Sequence, residues 1–163
     1  MKEIPKDIVV FLERQGFVIV STLDKNGKIH CAAKGIAGIE KSGKIYMIDL
    51  YCRRTFANLK KNSTISITAI DDSRFEGYTL KGKGQIVKRD QIKDHIIKNW
   101  ESKIVERISQ RVIKNIKISK KSLHHPEARL PQPRYLIVMD VEDIVDLTPK
   151  HLKPPAFKNY EYK

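Results

Sequence analysis

Cysteine, tryptophan and acidic side chains are scarce in this chain of 163 residues, and no apolar run is long. Cys31 and Cys52 make neither a disulfide framework nor a four-ligand metal site, and they lack C-x-x-C spacing, so two buried thiols are expected. No apolar run approaches the ~18–20 residues of a membrane helix. The opening MKEIPKDIVVFLERQ is broken by charge and does not read as a signal peptide. These absences leave a soluble cytoplasmic protein with no membrane partner as the expectation. There is no Gly-rich dinucleotide loop, no G-x-S-x-G elbow and no H-E-x-x-H, which removes three common enzyme signatures.

The shortage of acid leaves 32 lysines and arginines against 19 aspartates and glutamates, a net charge of +13 that favours anionic partners. The excess is local. Between Lys81 and Lys121, 13 basic residues face only Asp90, Asp94, Glu101 and Glu106, which accounts for +9 of the total. Such a segment is either a nucleic-acid footprint or a solvated helix face. Trp100 is its only aromatic, so the stacking platform of RNA-binding proteins is missing and nucleic acid is not the expected partner.

What is present patterns as strands. Pro5, with Ile8, Val9 and Leu12 at helical spacing, opens a helix over residues 5–15 that Gly16 ends. The run FVIVSTL at 17–23, the turn Asp24-Lys25-Asn26-Gly27 and an arm from Lys28 to about Lys34 predict a hairpin, since Asn and Gly both tolerate positive φ. Further strands are expected at 44–50, 64–70, 78–87 and 135–141. In the fifth of these six, Gly82 and Gly84 share a face with Tyr78 and Leu80, which allows tight coiling or a close approach. Between the last two strands, Ile92, Ile96, Trp100, Ile104, Ile108, Val112 and Ile116 recur every four residues. Such a period drifts by about 40° per step around an α-helix. The segment must therefore break near Ser109 or bury different faces along its length. These apolar positions should pack on the barrel or across a dimer, with the lysines outward. Prolines punctuate 124–134 and 149–155. The sum is a single mostly β domain over 1–163: a small antiparallel six-stranded barrel with peripheral helices (α+β), a basic helical insert at about 90–121 and a Pro-rich tail at about 149–163.

The chemistry concentrates after the strand that ends at Leu50. In Arg53-Arg54-Thr55-Phe56-Ala57-Asn58-Leu59, two guanidinium groups and a hydroxyl precede a short helix expected over Phe56–Lys61. Forked donors and free N–H groups at a helix start suit a phosphate. The alternative is that Thr55 only caps the helix and both arginines are solvated. His124, His125 and Glu127 do not suffice for a metal site, because adjacent histidines on an extended segment point apart and a fourth ligand is missing.

The run from Gly16 to about Thr148 resembles the FMN-binding split-barrel superfamily, the pyridoxamine 5'-phosphate oxidase-like proteins. The resemblance rests on the opening helix before Gly16-Phe17-Val18-Ile19-Val20-Ser21-Thr22, the hairpin leading into Ile29-His30-Cys31, and Gly43-Lys44-Ile45-Tyr46-Met47-Ile48-Asp49. It continues through the basic-Thr-x-x-Asn-Leu element at Arg54 to Leu59 and the strand Gly77-Tyr78-Thr79-Leu80-Lys81-Gly82. It implies FMN as cofactor, its phosphate held by Arg53, Arg54, Thr55 and Asn58. It also implies a flavin ring along the backbone of Ala33-Lys34-Gly35 and Ile48-Asp49-Leu50, and a homodimer whose second subunit closes the site. Lys34 would then stabilise the anionic reduced ring, or it is an exposed strand lysine. The superfamily's vitamin B6 oxidase carries a late Arg-x-His pair that Arg134-Tyr135-Leu136-Ile137 lacks, so that substrate is not implied. The expected activity is flavin-dependent redox chemistry on a small substrate, with no acid–base residue identified. The rivals are an FMN electron carrier and a nucleic-acid module using the basic helix.

Overall fold

The computed structural model describes residues 1–51, 53–117, 131, 133 and 135–152. Helix α1 (Lys6–Arg14) has Pro5 in the capping position and complementary charges, Asp7 in the first turn and Arg14 in the last; it buries Ile8, Phe11 and Leu12. The expected hairpin follows as β1 (Val18–Leu23) and β2 (Ile29–Lys34). Only Gly27 takes a positive φ, +75°. The rest of the turn is held by the Asp24 carboxylate, which accepts the amides of Asn26 (2.8 Å) and Lys28 (2.9 Å). Then come β3 (Ile36–Glu40), β4 (Lys44–Asp49), α2 (Arg54–Leu59), β5 (Thr64–Asp71), β6 (Glu76–Lys88), α3 (Asp94–Lys117) and β7 (Tyr135–Asp146), with short 3-10 turns at Arg89–Gln91 and Lys150–Leu152.

The sheet has seven strands in the order β2-β1-β5-β6-β7-β4-β3, all antiparallel, where the sequence predicts six. The additional strand is β3. Its IAGIE sequence has little β-propensity, and only pairing with β4 makes it a strand, with a register irregularity between Ile36 and Gly38. Gly35 alone separates β2 from β3, yet these two strands are the opposite edges of the sheet. Alpha carbons two residues apart are at most ~7 Å apart, so the edges must meet and the sheet must curl. This is the split of the barrel.

Inside the curl lie Val18, Val20, Ile45, Met47, Ile65, Ile67, Leu80, Ile137, Met139 and Val141, with Ile8, Phe11 and Leu12 of α1 packed against them. Both glycines of β6 serve close approach. A Cβ on Gly82 would stand 1.9 Å from the Asp140 carbonyl oxygen, at the irregularity where β6 meets β7. A Cβ on Gly84 would stand 3.1 Å from a methyl of Leu59, so the missing side chain lets α2 dock on the sheet.

A second apolar cluster, Ala37, Ile48, Leu136, Ile92 and Ile96, lies on the other face of β3, β4 and β7 under α3. The helix is continuous through Ser109, whose hydroxyl donates back to the Val105 carbonyl (2.9 Å). The four-residue repeat resolves as burial that fades. Ile92 and Ile96 are buried, whereas Trp100, Ile104 and Ile108 are half-buried. The side chains of Val112 and Ile116, like residues 118–130 and the tail from 153, lie outside the described residues. Lys103 is not outward as expected. It is half-buried and its ammonium donates to the Ile36 carbonyl (3.2 Å); burial pulls its pKa below the usual lysine value, although the charge of Glu13 opposes this.

Candidate functional site

The split in the barrel builds the site. On β2 the residues facing inward are those paired with buried Val18, Val20 and Thr22, namely Lys34, Ala32 and His30. Across the split, β4 ends at Asp49. The Lys34 ammonium donates to the Asp49 carboxylate at 3.0 Å, with the two side chains only 10% and 2% exposed. Lys34 is therefore a nearly buried, ion-paired residue rather than an exposed strand lysine. The pair ties one edge of the sheet to the strand beside the other.

After β4 the chain turns into α2, which begins at Arg54 instead of Phe56. Arg53 occupies the capping position without a side-chain cap, and Thr55 is already inside the first turn, so Thr55 is not the cap. With six residues the helix has too few aligned peptides to act as a strong dipole. The helix is anchored by Leu59 and by buried Asn58, whose amide donates to the Thr22 hydroxyl at 3.0 Å.

Between β2 and this element lies a cavity of about 380 Å³, lined by His30, Ala32, Ala33, Lys34, Asp49, Tyr51, Arg53, Arg54 and Thr55. Its volume is within the 300–1,000 Å³ range of small-ligand sites. Six of the residues named from sequence meet there: Ala33, Lys34, Asp49, Arg53, Arg54 and Thr55. With Lys34 committed to Asp49, Arg53 and Arg54 form no ion pair among the described residues and leave the cavity cationic. Their guanidinium forks and the Thr55 hydroxyl are the donor set a phosphate requires.

The other four lie elsewhere. Ile48 and Leu50 pack their side chains with the cluster under α3. Gly35 lies at the corner between β2 and β3, where among the described residues a Cβ would meet only the Arg107 guanidinium, at 3.9 Å. Asn58 borders a neighbouring cavity of about 440 Å³. Sequence reasoning missed His30, Ala32 and Tyr51. The first two were legible, because a strand that turns Lys34 inward turns Ala32 and His30 inward as well. Cys31, on the opposite face of β2, is exposed and lies 3.4 Å from the Ser21 hydroxyl, which corrects the expected buried thiol. Cys52 and the tract His124, His125 and Glu127 lie outside the described residues. Among the described residues no three His, Cys, Asp or Glu side chains could share a metal ion, and no helix is long and apolar enough to cross a membrane.

The family model for pyridoxamine 5'-phosphate oxidase matches residues 4–147. Solved structures with a similar fold include HupZ of Group A Streptococcus, at 17% identity and TM-score 0.60 over 89% of this chain and 95% of that one. Another is a Clostridium acetobutylicum protein related to general stress protein 26, of the pyridoxinephosphate oxidase family (17%, TM-score 0.52, 92% and 100%). A third is HutZ, the heme storage protein of Vibrio cholerae (16%, TM-score 0.51, 89% and 94%). No curated protein matches the chain by sequence.

Proposed function

The chain belongs to the pyridoxamine 5'-phosphate oxidase family, and from that premise we propose that it is an FMN-binding protein carrying out a flavin-dependent redox reaction on a small substrate. One observation carries the reading. A cavity of ligand size brings Arg53, Arg54 and Thr55 to the same wall system as the Lys34–Asp49 pair. FMN when bound supplies the hydride or electron chemistry, and the chain supplies binding and electrostatics. Arg53 and Arg54 hold the phosphate dianion, and the Thr55 hydroxyl donates to it. Lys34 keeps a positive charge beside the ligand, and Asp49 fixes where that charge stands. The site is completed by a second copy of the chain in a homodimer.

The test is direct. Purified protein should carry FMN, identified by its absorbance and by mass spectrometry of the released cofactor, and should consume NAD(P)H if it is an enzyme rather than an electron carrier. Release of haem or a deazaflavin instead would overturn the cofactor assignment. In the Arg54→Ala variant, FMN should bind roughly tenfold to a hundredfold more weakly while riboflavin affinity stays nearly unchanged, since a charge-assisted contact contributes about 1.5–3 kcal/mol. Equal losses for both ligands would show that Arg54 does not hold the phosphate.

A further inference from the structure

The neighbouring cavity has no role in the reading above, and its lining is more strongly basic. It lies between the β1–β2 turn and α2, and Lys25, Lys28, His30, Arg54 and Lys61 border it against a single carboxylate, Asp24. That carboxylate is already engaged by the amides of Asn26 and Lys28. None of the three lysines, nor Arg54, is in an ion pair among the described residues. Like charges converging on a concave surface repel one another, and an anion relieves that repulsion. His30 and Arg54 line both cavities, so the two are contiguous through these side chains.

We propose that this second cavity is an anion subsite for a phosphate beyond the one at Arg54: the second phosphate of a flavin dinucleotide, or that of free pyrophosphate. The inference rests on the phosphate reading of the first cavity. A group held at Arg54 from one side can continue past it to Lys25, Lys28 and Lys61. A ligand that ends at its first phosphate leaves these three cations to solvent.

The experiment replaces Lys25, Lys28 and Lys61 together by Gln. All three are exposed, so the variant should fold as the parent does. Dissociation constants for FMN, FAD and inorganic pyrophosphate are measured by calorimetry at low and high salt. The subsite predicts that FAD and pyrophosphate weaken by roughly tenfold at low salt, less at high salt, while FMN changes by less than about threefold. Equal changes for FMN and FAD, or none for FAD and pyrophosphate, would overturn it. Should neither flavin bind the parent protein, the flavin reading fails, and pyrophosphate alone decides the subsite: binding lost in the variant sustains it, and no binding to the parent refutes it.

Discussion

Lys34 and Asp49 couple fold to site, because the pair joins β2 to β4 and lines the cavity. Two charges this deeply buried repay their desolvation largely through their mutual attraction, so removing one partner is costly. Lys34→Met should lower stability by about 3–5 kcal/mol in urea unfolding, and adding Asp49→Leu should recover much of the loss. A loss below about 1 kcal/mol would place the pair among exposed ones that contribute little. Tyr46 and Tyr78 give a second test at this scale. Burial first, then neighbouring carboxylates, raises both phenols from 10.0 to about 12; for Tyr46 the carboxylates are Glu40 and Asp140, and for Tyr78 they are Glu76, Asp146 and Asp7. The folded state thus holds these protons more tightly than the unfolded chain, and the stabilisation is complete below pH 10 and lost as pH rises from 10 toward 12. Tyrosinate absorbance should show two phenols ionising late, and stability should fall across that interval; Tyr46→Phe should flatten the fall. Glu40 moves the other way, lowered chiefly by the Tyr46 hydrogen bond.

Among the elements, α2 is the one on which the site depends, and it rests on the space left by Gly84. Gly84→Ala should push Leu59 and Ile65 outward by a few tenths of an ångström at a cost of about 1–3 kcal/mol, and because Arg54 and Thr55 ride on the same helix, FMN affinity should fall with it. Unaltered flavin binding in a destabilised variant would separate the site from the docking of α2. The helix α3 is a structural cover on the outer face of β3, β4 and β7 before it is a charged surface. Ile96→Ala should cost about 2–4 kcal/mol in unfolding experiments. The inward turn of Lys103 against Ile36 removes it from the set of cations that α3 could offer to nucleic acid.

For the whole molecule, strands such as FVIVSTL (17–23) and YLIVMDV (135–141) are apolar on both faces, and their outer faces need a cover. For β7 the answer lies within the chain, since Ile137 and Met139 face the interior while Leu136 and Val138 pack under α3. For β1 it does not. Phe17 before the strand and Ile19 on its outer face remain 63% and 39% exposed, and Ile70 on neighbouring β5 is 64% exposed. The proposed homodimer would bury such surface about a two-fold axis. Light scattering at micromolar concentration should give a mass near twice 18.8 kDa. A monomer that still binds FMN would refute a site closed by a second copy.

Local pattern alone determined the helix at the start, the first hairpin, the alternating strands and the basic element after β4, because each depends on residues within a few positions of one another. It reached Arg53, Arg54 and Thr55 in the cavity for the same reason, since they are adjacent, whereas Ala33, Lys34 and Asp49 were reached only through the family resemblance. Tertiary structure decided the rest. The strand β3 exists because β4 pairs with it, and the docking of α3 follows from the face that Ile92 and Ile96 find on Ile48 and Leu136. The partnership of Lys34 with Asp49 required the sheet to curl until its edges met at Gly35, and contacts between residues that distant leave no periodic trace in the chain.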